Sequence, residues 1–276
     1  HDVDNILKET GADYAFLNEA EKALIRFLEV QNGIRPEADL CQVVTKEAKY
    51  LNKLIPVAEE LDVIPAFDLM DVENHSIYGT LGSWHGFTYE KTRAGTALSN
   101  RGCRAHCSFC NVRSFNGEGV RQRTVASVLD ELSLLKARGI GHIIWLDDDL
   151  LMREERAIEL FDGMVKRNLN MTWDATNGVI AASLKDEVVA AAAASGCIGL
   201  ALGIESGNAD ILREIKKPGT PRIFRRAAEV LKRYPQINVR ALLIIGFPRE
   251  TLAQILDTLT LCEDMNLDWH NLAILQ

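Results

Sequence analysis

Several large classes of protein are excluded by what this sequence lacks. No apolar run is clean enough for a membrane span. The most hydrophobic stretch, 188–204, is interrupted by Ser195 and Gly196 and stopped by Glu205; it reads as a buried helix running into a buried strand. Basic residues are in deficit, with 31 Lys and Arg against 39 Asp and Glu and a net charge of −8. That argues against a surface that coats nucleic acid broadly, although a local basic patch, and RNA as a substrate, stay open. Cysteine is too sparse for a disulfide scaffold: six in 276 residues, three of them within eight positions and the rest scattered. This pattern suits a reducing, cytoplasmic compartment and one local metal site. No signal-type segment is visible, and the chain opens on His1 rather than methionine, so the sequence is expected to be part of a longer product.

What is present is a large core-forming supply, 47 % apolar residues, enough for one large domain and a smaller piece. Residues 1–30 read as a short strand, Ala12 to Leu17, and a helix from Glu19 to Glu29. Residues 31–95 read as a linker, with a short strand at Cys41 to Val44 and an irregular path through IPAFDLM and YGTLGSWHGF. From residue 96 the pattern alternates. Strands are expected at 96–99, 142–146, 171–177, 198–204, 239–246 and 271–276. Helices are expected at 124–138, 154–166, 209–215, 221–234 and 251–265, with one more opened by a capping box of Ser183 and Asp186 and ending near Gly196. Strands this uniformly apolar suit a parallel sheet covered by helices. An open barrel and a doubly wound sheet both fit this order, and periodicity does not separate them. The fold class adopted is α/β, a partial TIM-type barrel of at least six parallel strands.

The chemistry concentrates in RGCRAHCSFC, residues 101–110. Cys103, Cys107 and Cys110 form a Cys-x3-Cys-x2-Cys loop directly after a strand. Three thiolates can hold three irons of a cubane cluster and leave the fourth iron open for chemistry. The alternatives are zinc with His106 as fourth ligand, although adjacent residues seldom both enter one tetrahedral centre, and a set of free thiols. Cys41, Cys197 and Cys262 read as packing residues.

Other candidates lie at strand ends, where a parallel barrel gathers its active-site residues. Asp147, Asp148 and Asp149 either face the cavity or cap a helix start. Gly203, Glu205 and Ser206 either approach a ligand or form an ordinary strand-to-helix turn. Asn177 either binds a ligand or makes an Asn-Gly turn, and Gly246 allows close backbone approach.

The loop resembles the CxxxCxxC signature of the radical S-adenosylmethionine (SAM) superfamily, including the aromatic residue before the third cysteine. LDDDL, LGIESGNADILREIKK and LLIIGFPRET resemble later segments of the same family in the same order, and the resemblance covers roughly 96–276. GADYAFLNEAEKALIRFLE and LDVIPAFDLM resemble the junction found in the branch with an N-terminal cobalamin-binding domain. The resemblance implies a C-terminal remnant of a Rossmann-like cobalamin domain at 1–30, a bridge at 31–95 and a radical SAM core at 96–276. It implies a [4Fe-4S] cluster on Cys103, Cys107 and Cys110, and SAM contacts from Phe109, Asp148, Asn177, Gly203, Glu205, Ser206 and Gly246. Cobalamin, and a flavodoxin- or ferredoxin-like electron donor, are further implications. The implied activity is reductive cleavage of SAM to a 5′-deoxyadenosyl radical, serving methylation or oxidative cyclisation of a small molecule, lipid, tetrapyrrole or peptide. A zinc-stabilised binding protein and a cluster domain without activity are the competing readings. The family often has glycine where this chain has Arg249.

Overall fold

A computed structural model describes residues 3–72 and 92–275. The expectation of an irregular path through 78–87 lies outside the described residues. Contacts divide the chain into two units, His1–Leu61 with Asn111–Gly117, and Asp62–Cys110 with Glu118–Gln276.

The first unit holds α1 (Val3–Thr10), β1 (Tyr14–Phe16), α2 (Glu21–Gln31), β2 (Val43–Thr45), β3 (Lys49–Tyr50) and the short α3 (Val112–Asn116). Its strands form an antiparallel sheet in the order β1-β2-β3. Gln42 stitches this unit from within. Its amide donates to the Leu17 carbonyl at 2.8 Å and to the Glu19 carbonyl at 3.2 Å. Asn18 donates to the carbonyls of Ser114 and Phe115, which ties α3 to the strand turn.

The second unit is built on six parallel strands: β4 (Arg93–Ala97), then, past a small hairpin of β5 (Asn100–Gly102) and β6 (Val120–Gln122), β7 (Ile140–Trp145), β8 (Thr172–Val179), β9 (Cys197–Glu205), β10 (Asn238–Ile245) and β11 (Trp269–Ile274). Their order across the sheet is β4-β7-β8-β9-β10-β11, and every neighbouring pair is parallel. This order follows the chain without reversal. A doubly wound sheet reverses direction at a switch point, whereas sequential right-handed crossovers put every helix on one face. The ambiguity left by periodicity is thereby resolved: the sheet is a partial TIM-type barrel.

The crossovers are α4 (Val125–Ala137), α5 (Glu154–Lys166), α6 (Asp186–Ala194), α7 (Ala209–Glu214), α8 (Pro221–Leu231) and α9 (Leu252–Met265). Thr124, Thr220 and Thr251 cap α4, α8 and α9 through their hydroxyls, and Gln254 completes a capping box at α9. The expected box of Ser183 and Asp186 does not form. Ser183 closes a 3-10 turn, Lys185 takes the N-cap position of α6, and the Ser183 hydroxyl is drawn to Arg104 instead.

Side chains alternate across the sheet. Trp145, Trp173, Leu200, Leu202, Val239, Ala241 and Leu243 point into the helix layer and form the main core. Phe161 of α5 stacks on Trp173 at 4.9 Å between ring centroids. The other face mixes polar residues with Ile144 and Leu242. His142 and Asp174, both fully buried, pair at 2.9 Å, and the second ring nitrogen of His142 meets Thr172 at 2.8 Å. Gly199, Ala201 and Gly203 of β9 lie on this same face and add little side-chain bulk to it.

Candidate functional site

The cysteine loop leaves the hairpin of β5 and β6, and the hairpin explains why residue 102 is glycine. Gly102 has φ +93°, and a Cβ there would lie 2.3 Å from the Gly119 carbonyl oxygen, so no other residue fits without opening the pair. Past Cys103 the loop is held by further contacts. Arg104 bonds to the segment after β7, and the Ser108 N–H donates to the Ile215 carbonyl at 3.0 Å, at the end of α7. Within the loop, the Ala105 N–H reaches the Cys103 sulfur at 3.4 Å, and the Cys110 N–H donates to the Cys107 carbonyl at 3.2 Å.

All three thiols are free; Cys103 and Cys107 are partly buried and Cys110 is exposed. Burial pushes the Cys103 thiol up to about 11, and the negative charges of Asp149, Cys107 and Asp148 add to the rise. Cys107 is raised by burial as well, with Lys217 opposing the rise and Cys110 and Glu205 adding to it. The three sulfurs thus feel one another in sequence along the loop. Among the described residues, no three His, Cys, Asp or Glu side chains are drawn into a closed metal-ligand set. The donor set is nonetheless the soft, three-thiolate one that an iron-sulfur cluster needs.

The three aspartates after β7 have separate roles. Asp147 is buried and accepts from the Ser99 N–H at 2.9 Å and from the Ser99 hydroxyl at 2.5 Å. Arg156 supports the same contact by donating to the Ser99 hydroxyl and carbonyl. Asp149 is also buried and is paired with Arg104 at 3.0 Å. Asp148 is the least buried of the three; it accepts from the Gly102 N–H at 3.3 Å, and its charge is felt at Cys103. Asp147 therefore serves the strand end through Ser99, while Asp149, through Arg104, and Asp148 both lie beside the cysteine loop.

Burial pushes the Asp147 carboxyl up to about 6, the Ser99 hydrogen bonds opposing the rise. An unfolded aspartate titrates near 4, so between about pH 4 and pH 6 the folded chain keeps a proton that the unfolded chain releases. Stability should fall as pH rises through that window and level off above it. The drop for this group is roughly 2–3 kcal/mol. Urea unfolding of the wild type and Asp147→Asn from pH 4 to 7 should show a steeper fall in the wild type than in the variant, where Asp149 and Glu131, also raised by burial, still contribute; parallel curves would remove Asp147 as a source.

The end of β9 is irregular. Its pairing with β10 shifts between Leu242 and Leu243, whose partners are Gly203 and Glu205. Glu205 takes φ +65°, an unfavourable conformation for a side-chain-bearing residue, of about 1–3 kcal/mol. Such bulges re-aim a side chain. The Glu205 carboxylate meets the Lys217 ammonium at 2.8 Å, with both side chains about 10 % exposed. A Cβ on Gly203 would stand 2.7 Å from the Lys217 nitrogen and 3.2 Å from the Glu205 carboxylate. Lys217 escaped the sequence reading, since it lies twelve residues from Glu205 and belongs to no spacing pattern.

The other expected site residues are placed as follows. Ser206 is fully buried; its hydroxyl meets Thr258 of α9 at 3.3 Å and accepts from the Asn208 N–H. Asn177 and Gly178 do not make a turn between elements. They lie within β8, where three residues of β8 face one of β9 between Ala175 and Val179, and the Asn177 amide donates to the Leu146 carbonyl at 2.7 Å. Phe109 packs on Phe247, 6.0 Å between centroids, in a small apolar cluster with Ile211 and Ile215. Gly246 has φ +85°, and its N–H donates to Glu250 at 2.7 Å. Arg249 takes φ +64°, the left-handed region that favours the glycine often found there in the family it resembles.

A model described as "Radical SAM superfamily" matches residues 98–262. The cytidylyl-2-hydroxyethylphosphonate methyltransferase of Streptomyces wedmorensis is 28 % identical over 88 % of this chain and 49 % of its own length. The anaerobic magnesium-protoporphyrin IX monomethyl ester cyclase of Rubrivivax gelatinosus is 26 % identical over 88 % of this chain and 41 % of its own. The solved structure of the radical S-adenosylmethionine methyltransferase TsrM from Kitasatospora setae, with cobalamin and a [4Fe-4S] cluster bound, superposes with a TM-score of 0.74 at 18 % identity. It covers 97 % of this chain and 52 % of TsrM. The chain therefore spans about half the length of the relatives it matches. Among the described residues, no helix is long and apolar enough to cross a membrane.

Proposed function

This chain belongs to the radical SAM superfamily, and on that premise we propose that it binds a [4Fe-4S] cluster through Cys103, Cys107 and Cys110 and cleaves SAM reductively. The observation that carries this reading is the three-thiol loop set against a buried carboxylate-ammonium pair, Glu205 and Lys217. When bound, the cluster supplies one electron to break a sulfonium carbon-sulfur bond of SAM, leaving methionine and a 5′-deoxyadenosyl radical.

The chain's residues bind, orient and exclude. Glu205 and Lys217 offer opposite charges side by side, a complement to the ammonium and carboxylate of an amino acid. Gly203 keeps the space over that pair free of a side chain. Asp148 adds a carboxylate near Cys103. Phe109 and Phe247 provide an apolar surface suited to a purine ring. Asn177, Ser206 and Gly246 stay in the proposed set as residues that shape strand ends, their polar groups engaged with neighbouring backbone or side chains. A substrate at the strand ends would have to be held away from water, which radical chemistry requires.

The finer proposal is cobalamin-dependent methylation. It is supported by the methyltransferase relative and by a fold shared with a cobalamin-bound methyltransferase. The described residues of the first unit include no histidine, so no residue here is assigned to cobalamin. Oxidative cyclisation is the second reading, on the strength of the cyclase relative. Residues 1–30 are proposed as the end of a cobalamin-binding-like domain, residues 31–95 as the bridge into the radical SAM core at 96–276, and a flavodoxin- or ferredoxin-like protein as the electron donor.

Anaerobic reconstitution of the full-length protein tests the reading. Iron and acid-labile sulfide should approach one cubane per chain, and dithionite should then yield 5′-deoxyadenosine and methionine from SAM. Stoichiometric zinc without iron would reject the cluster. A full cluster without SAM cleavage would reject the activity.

A further inference from the structure

Arg104 stands between the first two cysteines, and its side chain turns to the sheet. Its Nε meets Asp149 Oδ2 at 3.0 Å and its Nη2 donates to Asp149 Oδ1 at 3.2 Å, a two-point pairing with a carboxylate that is 1 % exposed. The backbone N–H of Arg104 donates to the same carboxylate at 3.3 Å. Nη1 donates to the Met152 carbonyl at 3.0 Å, and Nη2 reaches the Leu151 carbonyl at 3.4 Å and the Ser183 hydroxyl. One guanidinium thus joins the cysteine loop, the segment after β7 and the turn after β8. Beyond Cys103 the loop is also tied by the backbone bond from Ser108 to Ile215 and by Phe109 packed against Phe247.

We propose that Arg104 is the positioning residue of the cysteine loop. Its planar fork presents the first two thiols at a fixed depth above the strand ends before any metal arrives. The inference rests on the loop being the cluster holder. A lysine could satisfy the charge of Asp149 but not its two oxygens together with the two carbonyls and the hydroxyl, since it donates from one point. The buried carboxylate of Asp149 requires a partner, and Arg104 is the cation it has, so the loop and the acidic strand end are coupled through one contact. The Ser183 hydroxyl, left outside any helix cap, serves as the third anchor.

Amide exchange on the metal-free protein reads the anchor without any cluster. In Arg104→Ala, exchange across residues 103–108 should quicken roughly tenfold to a hundredfold, the loss expected for charge-assisted hydrogen bonds, while β9 keeps its protection. After anaerobic reconstitution, iron should pass to a chelator about tenfold faster than from the wild type, and the electron paramagnetic resonance spectrum of the reduced cluster should change. Arg104→Lys should not restore either property. Unchanged loop exchange, an unchanged chelator rate and spectrum, or full rescue by lysine would each overturn the proposal. If Arg104→Ala also loosens β9, Ser183→Ala replaces it: faster exchange confined to 103–108 supports the anchor and an unchanged loop overturns it. A wild type that takes up no iron would defeat the cluster reading instead, and the exchange result would still decide the anchor.

Discussion

Cys107→Ala, reconstituted anaerobically beside the wild type, is expected to keep no more than roughly a tenth of the cluster iron and to lose SAM cleavage altogether. Cys107 is the middle thiol of the loop, within electrostatic reach of both Cys103 and Cys110. Removing it leaves two thiolates at the ends of the set, too few to hold a cubane with one open vertex. Cys41→Ala, Cys197→Ala and Cys262→Ala should keep full iron. Those thiols are buried, and Cys197 sits in β9 with its sulfur 3.8 Å from the Gly199 carbonyl. The raised thiols add a pH signature. Cys103 and Cys107 are protonated at neutral pH in the metal-free chain, so loading must release protons, and reconstitution should proceed further as pH rises from 7 to 9. Iron and sulfide analysis of the four variants checks all of this. Wild-type iron in Cys107→Ala, or equal losses in the core variants, would end the three-thiolate reading.

The cysteine loop was legible in the sequence because its ligands are neighbours along the chain; a spacing of three and two can be read without knowing the fold. The helices were legible for a similar reason, since Thr124, Thr220 and Thr251 act within one turn of themselves. What escaped depends on contacts between distant segments. The strand order that separates a barrel from a doubly wound sheet is set by which crossovers pack together, and every candidate order has the same periodicity. Ser183 has the local look of a cap, yet Arg104, 79 residues earlier, takes its hydroxyl. Asn177 and Gly178 have the look of a turn, yet the ladder of β8 and β9 absorbs them as a bulge. The acidic run after β7 has no internal mark telling Asp148 from its neighbours; Ser99 and Arg104 make that distinction in three dimensions.

Lys217 is the most consequential of the residues that local pattern did not reveal, and its removal should have two separable effects. Lys217→Met leaves the Glu205 carboxylate buried beside Cys107 without its cation, and breaking a buried pair in this way costs about 3–5 kcal/mol. The double variant Glu205→Gln, Lys217→Met takes away both charges, so most of that stability should return, as it does when a buried ion pair is replaced whole. Affinity for SAM should not return. If the pair recognises the amino-acid end of SAM, both single variants and the double variant should bind it at least tenfold more weakly than the wild type, in line with the loss of a charge-assisted contact. Gly203→Ala probes the same place from the side, since its methyl group would stand 2.7 Å from the Lys217 nitrogen while leaving both charges in the chain. Urea unfolding gives the stabilities, and equilibrium dialysis of SAM against the reconstituted protein gives the affinities. A double variant that binds SAM as the wild type does would reduce Glu205 and Lys217 to a structural pair at the end of β9. Recovery of stability without recovery of binding would instead place the strained backbone at Glu205, φ +65°, in the service of the ligand, because nothing in the folding of the strand then requires that charge.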